Sequence, residues 1–393
     1  MSRLDRCYDL ADMREAARRH LPRGVFDFMD RGAERELAMR ENVAAFERLK
    51  LRTRFLVGLE ERDMGTELFG KRIPMPLAIG PTGIAGLCWY QGELALAKAA
   101  AAAGVPFTLT GTSITSMETI AREAGGRLWF QFYLWKEEEL SFEMVERARK
   151  LGFEALVVTV DTALGRTREY NDRNGFTDPI SLNPRFIADM MLHPRWLAGV
   201  MGRYALTTGM PRHENYPAKY QRRITTASST GPANSLSMTW DHIGRIRQLW
   251  PGPLIVKGII SGDDARRAVD QGADAVVVSN HGGRALDSSA ATIDMLPEVV
   301  RAVGDRTTVL LDSGVRHGSD VVKAVALGAK AVLIGRATLY GIAAGGQAGA
   351  EKVLSLFATQ FEKNMGYVGC RRVSELSPDI FAFPHREPES ETP

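Results

Sequence analysis

Apolar residues recur along this chain in two alternating rhythms. Short, nearly continuous apolar runs fall at 76–80, 106–110, 128–134, 155–160, 254–256, 275–278, 308–311 and 331–334. Runs of this length bounded by turn residues read as strands buried on both faces. Between them, apolar residues recur at helical spacing over 92–103, 116–124, 137–150, 239–249, 261–271, 293–303 and 318–327. Buried strands alternating with helices predict an α/β fold with a parallel sheet covered by helices. Eight such units predict a closed (β/α)8 TIM barrel. An open doubly wound sheet is the rival, and no Gly-x-Gly-x-x-Gly follows the first strand to support it.

Two regions fall outside the rhythm. Residues 5–50 read as helices, with Leu10, Met13, Ala16 and Ala17 on one face and Pro22 breaking the pattern before 25–29. These are expected to cap the barrel. Later, about 90 residues separate Asp161 from the fifth strand, far more than an ordinary loop. Within this connection, 178–235 carries Arg185, Arg195, Arg203, Arg212, Arg222, Arg223 and Lys219 against Asp178, Asp189 and Glu214. It also carries Phe186, Met190, Met191, Leu192, Trp196, Leu197, Val200 and Met201. One reading is a basic amphipathic segment on an anionic membrane, with Trp196, Leu197 and Met201 sunk into it. The other is a lid or a subunit contact. Residues 1–383 are expected to form one domain with 178–235 as an insertion. The acidic, proline-containing tail 384–393 is expected to be disordered.

Composition narrows the class. A chain of 393 residues is long enough for one large α/β barrel. Its 45% hydrophobic and 25% charged content is that of an ordinary soluble globular protein. A net charge of +3 argues against nucleic acid as a partner. Cys7, Cys88 and Cys370 are too scattered for a disulfide framework or a metal-ligand cluster, which points to a reducing compartment. The N-terminal residues lack an apolar signal core, and no apolar run reaches the ~18 residues of a membrane span.

The chemistry collects where such a barrel does its work, at the C-terminal ends of the strands. In strand order these ends supply Pro81, Thr82 and Gly83; then Thr110; then Gln131 and Tyr133; then Thr159 and Asp161, with Arg168 soon after. The later ends supply Lys257; Ser279 and His281; Asp312, Gly314 and Arg316; and Gly335 and Arg336. A histidine titrates near neutral pH, and Arg284, three residues beyond His281, can grip a carboxylate with two parallel bonds. A base beside an anion clamp suits removal of a proton from carbon next to a carboxylate. A tight turn with a backbone-bonded histidine is the plainer alternative for His281-Gly282-Gly283 taken alone. Arg316 and Arg336 with the glycine amides of Gly314 and Gly335 suit one phosphate, with Gly318 as a further amide. Lys257, on an apolar strand, must meet an anion. It reads either as a Schiff-base lysine or as a stabiliser of charge on an electron-rich ring. Gln131, Thr159 and Ser279 offer neutral partners to a flat heterocycle. One phosphate and one flat ring point to a mononucleotide, and FMN fits best.

These residues carry a resemblance. Ser279-Asn280-His281-Gly282-Gly283-Arg284, followed by Leu286-Asp287, is similar to the signature of the FMN-dependent 2-hydroxy acid oxidases and dehydrogenases. Leu254-Ile255-Val256-Lys257-Gly258, Thr159-Val160-Asp161-Thr162, Ile79-Gly80-Pro81-Thr82-Gly83 and Leu311-Asp312-Ser313-Gly314-Val315-Arg316 match as well. Within that family the chain most resembles mandelate dehydrogenases, through Leu192-His193-Pro194-Arg195-Trp196 and the run from Gly335 to Gly341. The resemblance implies His281 as catalytic base, Asp161 as its orienting carboxylate, and Arg168 and Arg284 as the substrate-carboxylate clamp. It implies Tyr133 as donor to the substrate oxygen and Lys257 as neutraliser of charge near the flavin N1–C2 edge. Pro81, Thr82, Gly83, Thr110, Gln131, Thr159, Ser279, Asp312, Gly314, Arg316, Gly335 and Arg336 would hold FMN. It also implies that the long insertion binds a membrane.

One position departs. The family commonly has tyrosine in a Val-Tyr-Asp-Tyr context, where this chain has Val25-Phe26-Asp27-Phe28. Phe28 lines the substrate site without a donor. A missing hydrogen bond to a charged group is worth about 1.5–3 kcal/mol, which should weaken binding of small acids such as lactate. The expected reaction is oxidation of an (S)-2-hydroxy acid, aromatic and mandelate-like, to the 2-oxo acid, with electrons passed to a membrane quinone or another acceptor. The rival within the class is a cytosolic oxidase that uses O2 and makes hydrogen peroxide. Gly83, where such oxidases often carry alanine, leans towards a dehydrogenase. An FMN-dependent isomerase would not need Arg168, Arg284 and His281 together, and a flavin-binding interaction protein would not need His281. Expected partners are the hydroxy acid, the acceptor, a peripheral membrane contact on the inner face of the cell membrane, and further copies of the chain.

Overall fold

The computed structural model describes residues 4–162, 164, 167–176, 180, 183–225 and 232–383. The eight predicted runs are all strands: β1 (Leu77–Ile79), β2 (Phe107–Thr110), β3 (Leu128–Phe132), β4 (Ala155–Thr159), β5 (Leu254–Ile259), β6 (Ala275–Val278), β7 (Thr308–Leu311) and β8 (Ala331–Ile334). All pair in parallel in a closed ring, with β8 bonded to β1. Register places Thr110 beside Gln131 and Thr159 beside Lys257, so polar side chains of four adjacent strands crown the barrel at one level.

Strand alternation divides the core in two. Ala78, Trp129, Ala155, Val157, Ile255, Ala275, Val277, Leu310, Ala331 and Leu333 fill the barrel interior. The alternate residues pack outward against the helices. Alanines on four of the strands leave the room that Trp129 occupies, so the interior is a packed core and not a pore. A short antiparallel hairpin, Thr66–Leu68 with Lys71–Ile73, closes the lower end and was not foreseen. Its Leu68 and Ile73 join the interior cluster, and Phe69 lies 5.7 Å from Trp129, ring to ring.

Seven helices follow the predicted stretches to within a few residues. An eighth, Arg336–Tyr367, was not foreseen; it runs 32 residues with a bend at Gly345 and Gly346. The N-terminal helices Leu10–His20, Arg23–Asp30 and Leu37–Arg48 are present. The first packs along Arg336–Tyr367, while the segment around the other two meets the loop after β6.

The insertion folds as Pro184–Met191, whose start Asn183 caps by accepting from Phe186 N at 2.9 Å, then Pro194–Trp196, a π turn at Leu197–Gly202, and Arg203–Leu206. The expectation for Trp196 is overturned. It is 1% exposed and donates from Nε1 to Leu87 O at 2.7 Å, because a buried indole must find an acceptor and finds it in the barrel. Leu197 and Met201 are likewise partly buried against the core. The apolar side chains that face outward are Ile187, Met191, Leu192 and Leu206. The charge is also better balanced than the insertion alone suggests, since Lys219 pairs with Glu137 outside it and Arg212 with Glu214. Asp178 and the tail 384–393 lie outside the described residues. Among those residues no helix is long and apolar enough to cross a membrane.

Candidate active site

A cavity of ≈ 850 Å³ opens at the C-terminal ends of the strands. Phe28, Pro81, Thr82, Gly83, Thr110, Gln131, Tyr133, Thr159, Arg168, Lys257, His281, Arg284, Asp312, Gly314, Arg316, Gly335 and Arg336 all line it. Asp161 and Ser279 stand behind the wall, bonded to residues that line it.

His281 sits where β6 breaks into its loop, in the left-handed region at φ 59°. A non-glycine residue there is held by its surroundings. Its N–H donates to Ser279 Oγ at 3.1 Å, and its Nδ1 lies 2.8 Å from Asp161 Oδ1. A carboxylate only accepts, so Nδ1 carries a proton, and in the neutral ring Nε2 has the lone pair. Gly258 makes room for this pair. It has φ 109°, interrupts the β5–β6 register, and a Cβ there would stand 2.7 Å from Asp161 Cβ.

Lys257 is buried, with Nζ 2.9 Å from Asp312 Oδ2 and donating to Ser279 Oγ at 2.8 Å. Burial works against its charge, but the carboxylates of Asp312 and then Asp161 outweigh it and hold the ammonium above its usual range. Lys257 is therefore a fixed cation at the barrel mouth.

Arg284 donates from one Nη to Phe28 O at 2.7 Å and to Arg31 O at 2.9 Å. Its guanidinium carbon is 5.2 Å from the centre of the Phe28 ring, and that of Arg168 is 5.6 Å from it. Two cations share one aromatic ring, so Phe28 steers both guanidiniums where a tyrosine hydroxyl would have bonded an anion.

Arg336 donates to the backbone oxygens of Asp30, Gly282 and Arg31. Burial, and next the charge of Arg316, push it below the usual guanidinium range, against Tyr340 and Asp30. Two neighbouring guanidiniums that repel one another suit an anion between them. Gly318 does not contribute, because its amide already donates to Gln360 Oε1 at 2.9 Å. Higher in the cavity, Gln131 Oε1 accepts from Thr110 Oγ1 at 2.6 Å. Gln131 Nε2 and Thr159 Oγ1 are buried with no hydrogen-bond partner among the described residues. Buried polar atoms need partners. A flat ring edged with amide-like groups and carrying one phosphate answers both needs, so the residues fit FMN.

Sequence reasoning missed the support for this site. Asn42 and Asn280 donate to each other's Oδ1 at 2.8 Å, and Gly283 N donates to Asn280 Oδ1 at 3.1 Å. Ser313 Oγ accepts from Gly282 N and donates to Asp312 Oδ1, both at 2.8 Å. Asp287 accepts from Arg35 N and Ala38 N. The N-terminal segment thus forms a wall of the site. Trp135, Phe176, Ile180, His213, Tyr216 and Ile224 also line the cavity without having been foreseen. Position after a strand end would have flagged Trp135; nothing local flagged the others.

A barrel whose mouth joins a carboxylate-oriented histidine to a cradle for a phosphorylated heterocycle is built for redox chemistry on a small acid. The comparison with known proteins gives that class its family. Residues 17–382 match the model of the FMN-dependent dehydrogenases, and the chain belongs to that family. It is 39% identical over 373 residues to (S)-mandelate dehydrogenase of Pseudomonas putida, covering 95% of this chain and 93% of that one. It is also 39% identical over 373 residues to an L-lactate oxidase of Nostoc sp., covering 94% and 96%. The crystal structure of the monotopic membrane protein (S)-mandelate dehydrogenase superposes with a TM-score of 0.88 at 38% identity, over 96% of this chain and 99% of that one. The chain is an FMN-dependent oxidoreductase acting on 2-hydroxy acids.

Proposed function

We propose that the enzyme oxidises an aromatic (S)-2-hydroxy acid to the 2-oxo acid and delivers the electrons to a quinone at a membrane surface. His281, oriented by Asp161, carries the reading, because it lines the cavity and its bond through Nδ1 makes Nε2 the basic nitrogen of the neutral ring. Arg168 and Arg284 clamp the substrate carboxylate, and Tyr133 donates to the substrate oxygen. Nε2 of His281 takes a proton from the bound substrate, and Asp161 stabilises the imidazolium that results. Bound FMN supplies the two-electron acceptor. Lys257 would neutralise negative charge on it, and Thr110, Gln131, Thr159, Ser279, Asp312, Arg316 and Arg336 would hold its ring, ribityl chain and phosphate. Phe28, Leu164, Phe176, Ile180 and Ile224 give the cavity an apolar side that suits a phenyl group.

Anaerobic stopped-flow reduction against (S)-mandelate, phenyllactate and lactate tests this reading, followed by reoxidation with a quinone analogue or O2. Faster reduction by aromatic acids and faster reoxidation by the quinone are expected. Preferential reduction by lactate with rapid reoxidation by O2 would overturn it and favour a soluble oxidase. Membrane attachment rests on Ile187, Met191, Leu192 and Leu206, which face outward beside Arg185 and Arg195. The intact protein should sediment with anionic liposomes, less so at high salt. The triple variant Met191→Asp, Leu192→Asp, Leu206→Asp should stay in the supernatant with its flavin reduction intact. Equal sedimentation of the two proteins would rule out this surface.

A further inference from the structure

We propose that His213 reads the far end of the substrate and selects aromatic 2-hydroxy acids that carry a hydrogen-bond donor, such as a hydroxyl, on the ring. This rests on the reading just given and goes further, to the substituent that the carboxylate clamp and the base do not touch. His213 belongs to the insertion, is 9% exposed and lines the same cavity as His281. Its Nδ1 lies 2.9 Å from Thr112 O. A carbonyl only accepts, so Nδ1 carries the hydrogen, and in the neutral ring Nε2 is an acceptor. Nε2 has no hydrogen-bond partner among the described residues. An imidazole fixed at one nitrogen therefore offers the other as an acceptor at the cavity wall.

The surroundings say what it would bind. The His213 ring stacks on Tyr216 at 4.7 Å and 25°, and Tyr216 meets Trp135 edge-on at 5.4 Å and 86°. All three line the cavity and form an aromatic panel. The strand ends face the cofactor, while Arg168, Arg284, Tyr133 and His281 engage the carboxylate and C2. That leaves the insertion's residues in the same cavity to line the remaining substituent of C2. There Phe176, Ile180 and Ile224 are apolar, and His213 supplies a polar atom among them. A phenyl ring satisfies the panel, and a ring hydroxyl gives Nε2 its missing donor. An acceptor at that place, such as a methoxy oxygen, leaves Nε2 unpaired.

The test compares (S)-mandelate with its para-hydroxy and para-methoxy derivatives by anaerobic stopped-flow flavin reduction. In the wild type the para-hydroxy acid should show a kcat/KM about tenfold above the other two, expressed mainly in substrate Kd. His213→Leu should bring the ratio close to one, and His213→Gln, which keeps an acceptor, should restore part of it. Equal handling of the para-hydroxy and para-methoxy acids by the wild type would refute the inference, as would an undiminished ratio in flavin-loaded His213→Leu. If that variant fails to hold FMN, spectral titration of the wild type with benzoate and para-hydroxybenzoate decides. About tenfold tighter binding of the latter supports the inference, and equal binding refutes it. If no hydroxy acid reduces the flavin, the proposed function itself fails. Reduction of the flavin without a ring-hydroxyl preference refutes only the role of His213.

Discussion

Replacing Asp161 with asparagine tests the proposed orienting carboxylate separately from the proposed base. In the native site His281 Nδ1 and Asp161 Oδ1 are 2.8 Å apart. When His281 takes a proton, the ion pair that forms has charge centres about 4 Å apart, worth about 4 kcal/mol at an effective dielectric of about 20. The two side chains are 17% and 11% exposed, so solvent screens part of this, and about 2 kcal/mol is a fair remainder. That alone slows the chemical step about thirtyfold. An asparagine that turns its amide nitrogen towards Nδ1 adds a second penalty, because it forces the hydrogen onto Nε2 and removes the lone pair. Together they predict a fall in limiting flavin-reduction rate of about 30- to 1000-fold. Substrate Kd should move less than about threefold, since Arg168 and Arg284 are untouched. Lys257 loses one of its two carboxylate neighbours but keeps Asp312, so FMN should stay bound. Anaerobic stopped flow over a substrate series gives rate and Kd separately. A limiting rate within about threefold of wild type, with FMN bound, would refute the orienting role. An unchanged rate with a raised Kd would move Asp161 into substrate binding.

Other perturbations probe other parts of the site. Gly258→Ala places a methyl group 2.7–3.0 Å from Asp161 at φ 109°. Differential scanning fluorimetry should report a loss of about 1–3 kcal/mol, with a fall in flavin-reduction rate towards that of Asp161→Asn. Arg284→Lys loses the planar fork and the paired bonds to Phe28 O and Arg31 O, so hydroxy-acid Kd should rise by about tenfold or more while FMN remains bound. Asp30 is pushed up by burial, yet Arg14 and Tyr340 win and hold its carboxyl below the usual range. A depressed carboxyl contributes stability above its unfolded pKa and loses it as pH falls through the folded value. Asp30→Asn should therefore cost about 1–3 kcal/mol at pH 7, discounted because Arg14 is half exposed. The gap in Tm should close below about pH 4; a gap that does not change with pH would place the effect in packing.

How much of this was legible follows from what each element buries. Barrel strands are covered on both faces, so β4 and β6 read as unbroken apolar runs, and the polar residues at their ends stand out. The hairpin strands are three residues each and carry Glu67, Lys71 and Arg72, too short and too charged for any period to register. Arg336–Tyr367 is rich in alanine and glycine and buried on several sides, so no single apolar stripe marks it. The loop after β6 was legible as residues but not as geometry. Asn42 lies 238 positions from Asn280, and no local pattern joins them. Gly258 sits just past the apolar run 254–256, where nothing local marks a close approach of backbone to a distant side chain. Its φ of 109° and the Asp161 side chain against it belong to the fold. In the insertion, apolar residues were legible but their direction was not. Trp196 turned inward and Leu192 outward, and both look equally apolar in sequence.

That direction changes what the insertion is. Trp196 donates to Leu87 O, and Tyr204 accepts from Gln91 N at 3.1 Å. Both bonds fasten the insertion to the loop after β1, whose Gly83, Leu87 and Cys88 line the cavity. Further along, His213 bonds Thr112 O in the loop after β2, and Tyr216 packs on Trp135 beyond β3. The inner side of the segment is therefore a wall of the active site, fixed to three successive strand ends, while Met191, Leu192 and Leu206 face away from it. Excising the segment would open the cavity as well as remove the outward apolar surface, so lost activity in such a deletion would say nothing about a membrane. Charges placed at the outward positions leave every one of these inward bonds in place. Only substitutions of that kind separate the proposed attachment from the proposed role of the inner side in substrate binding.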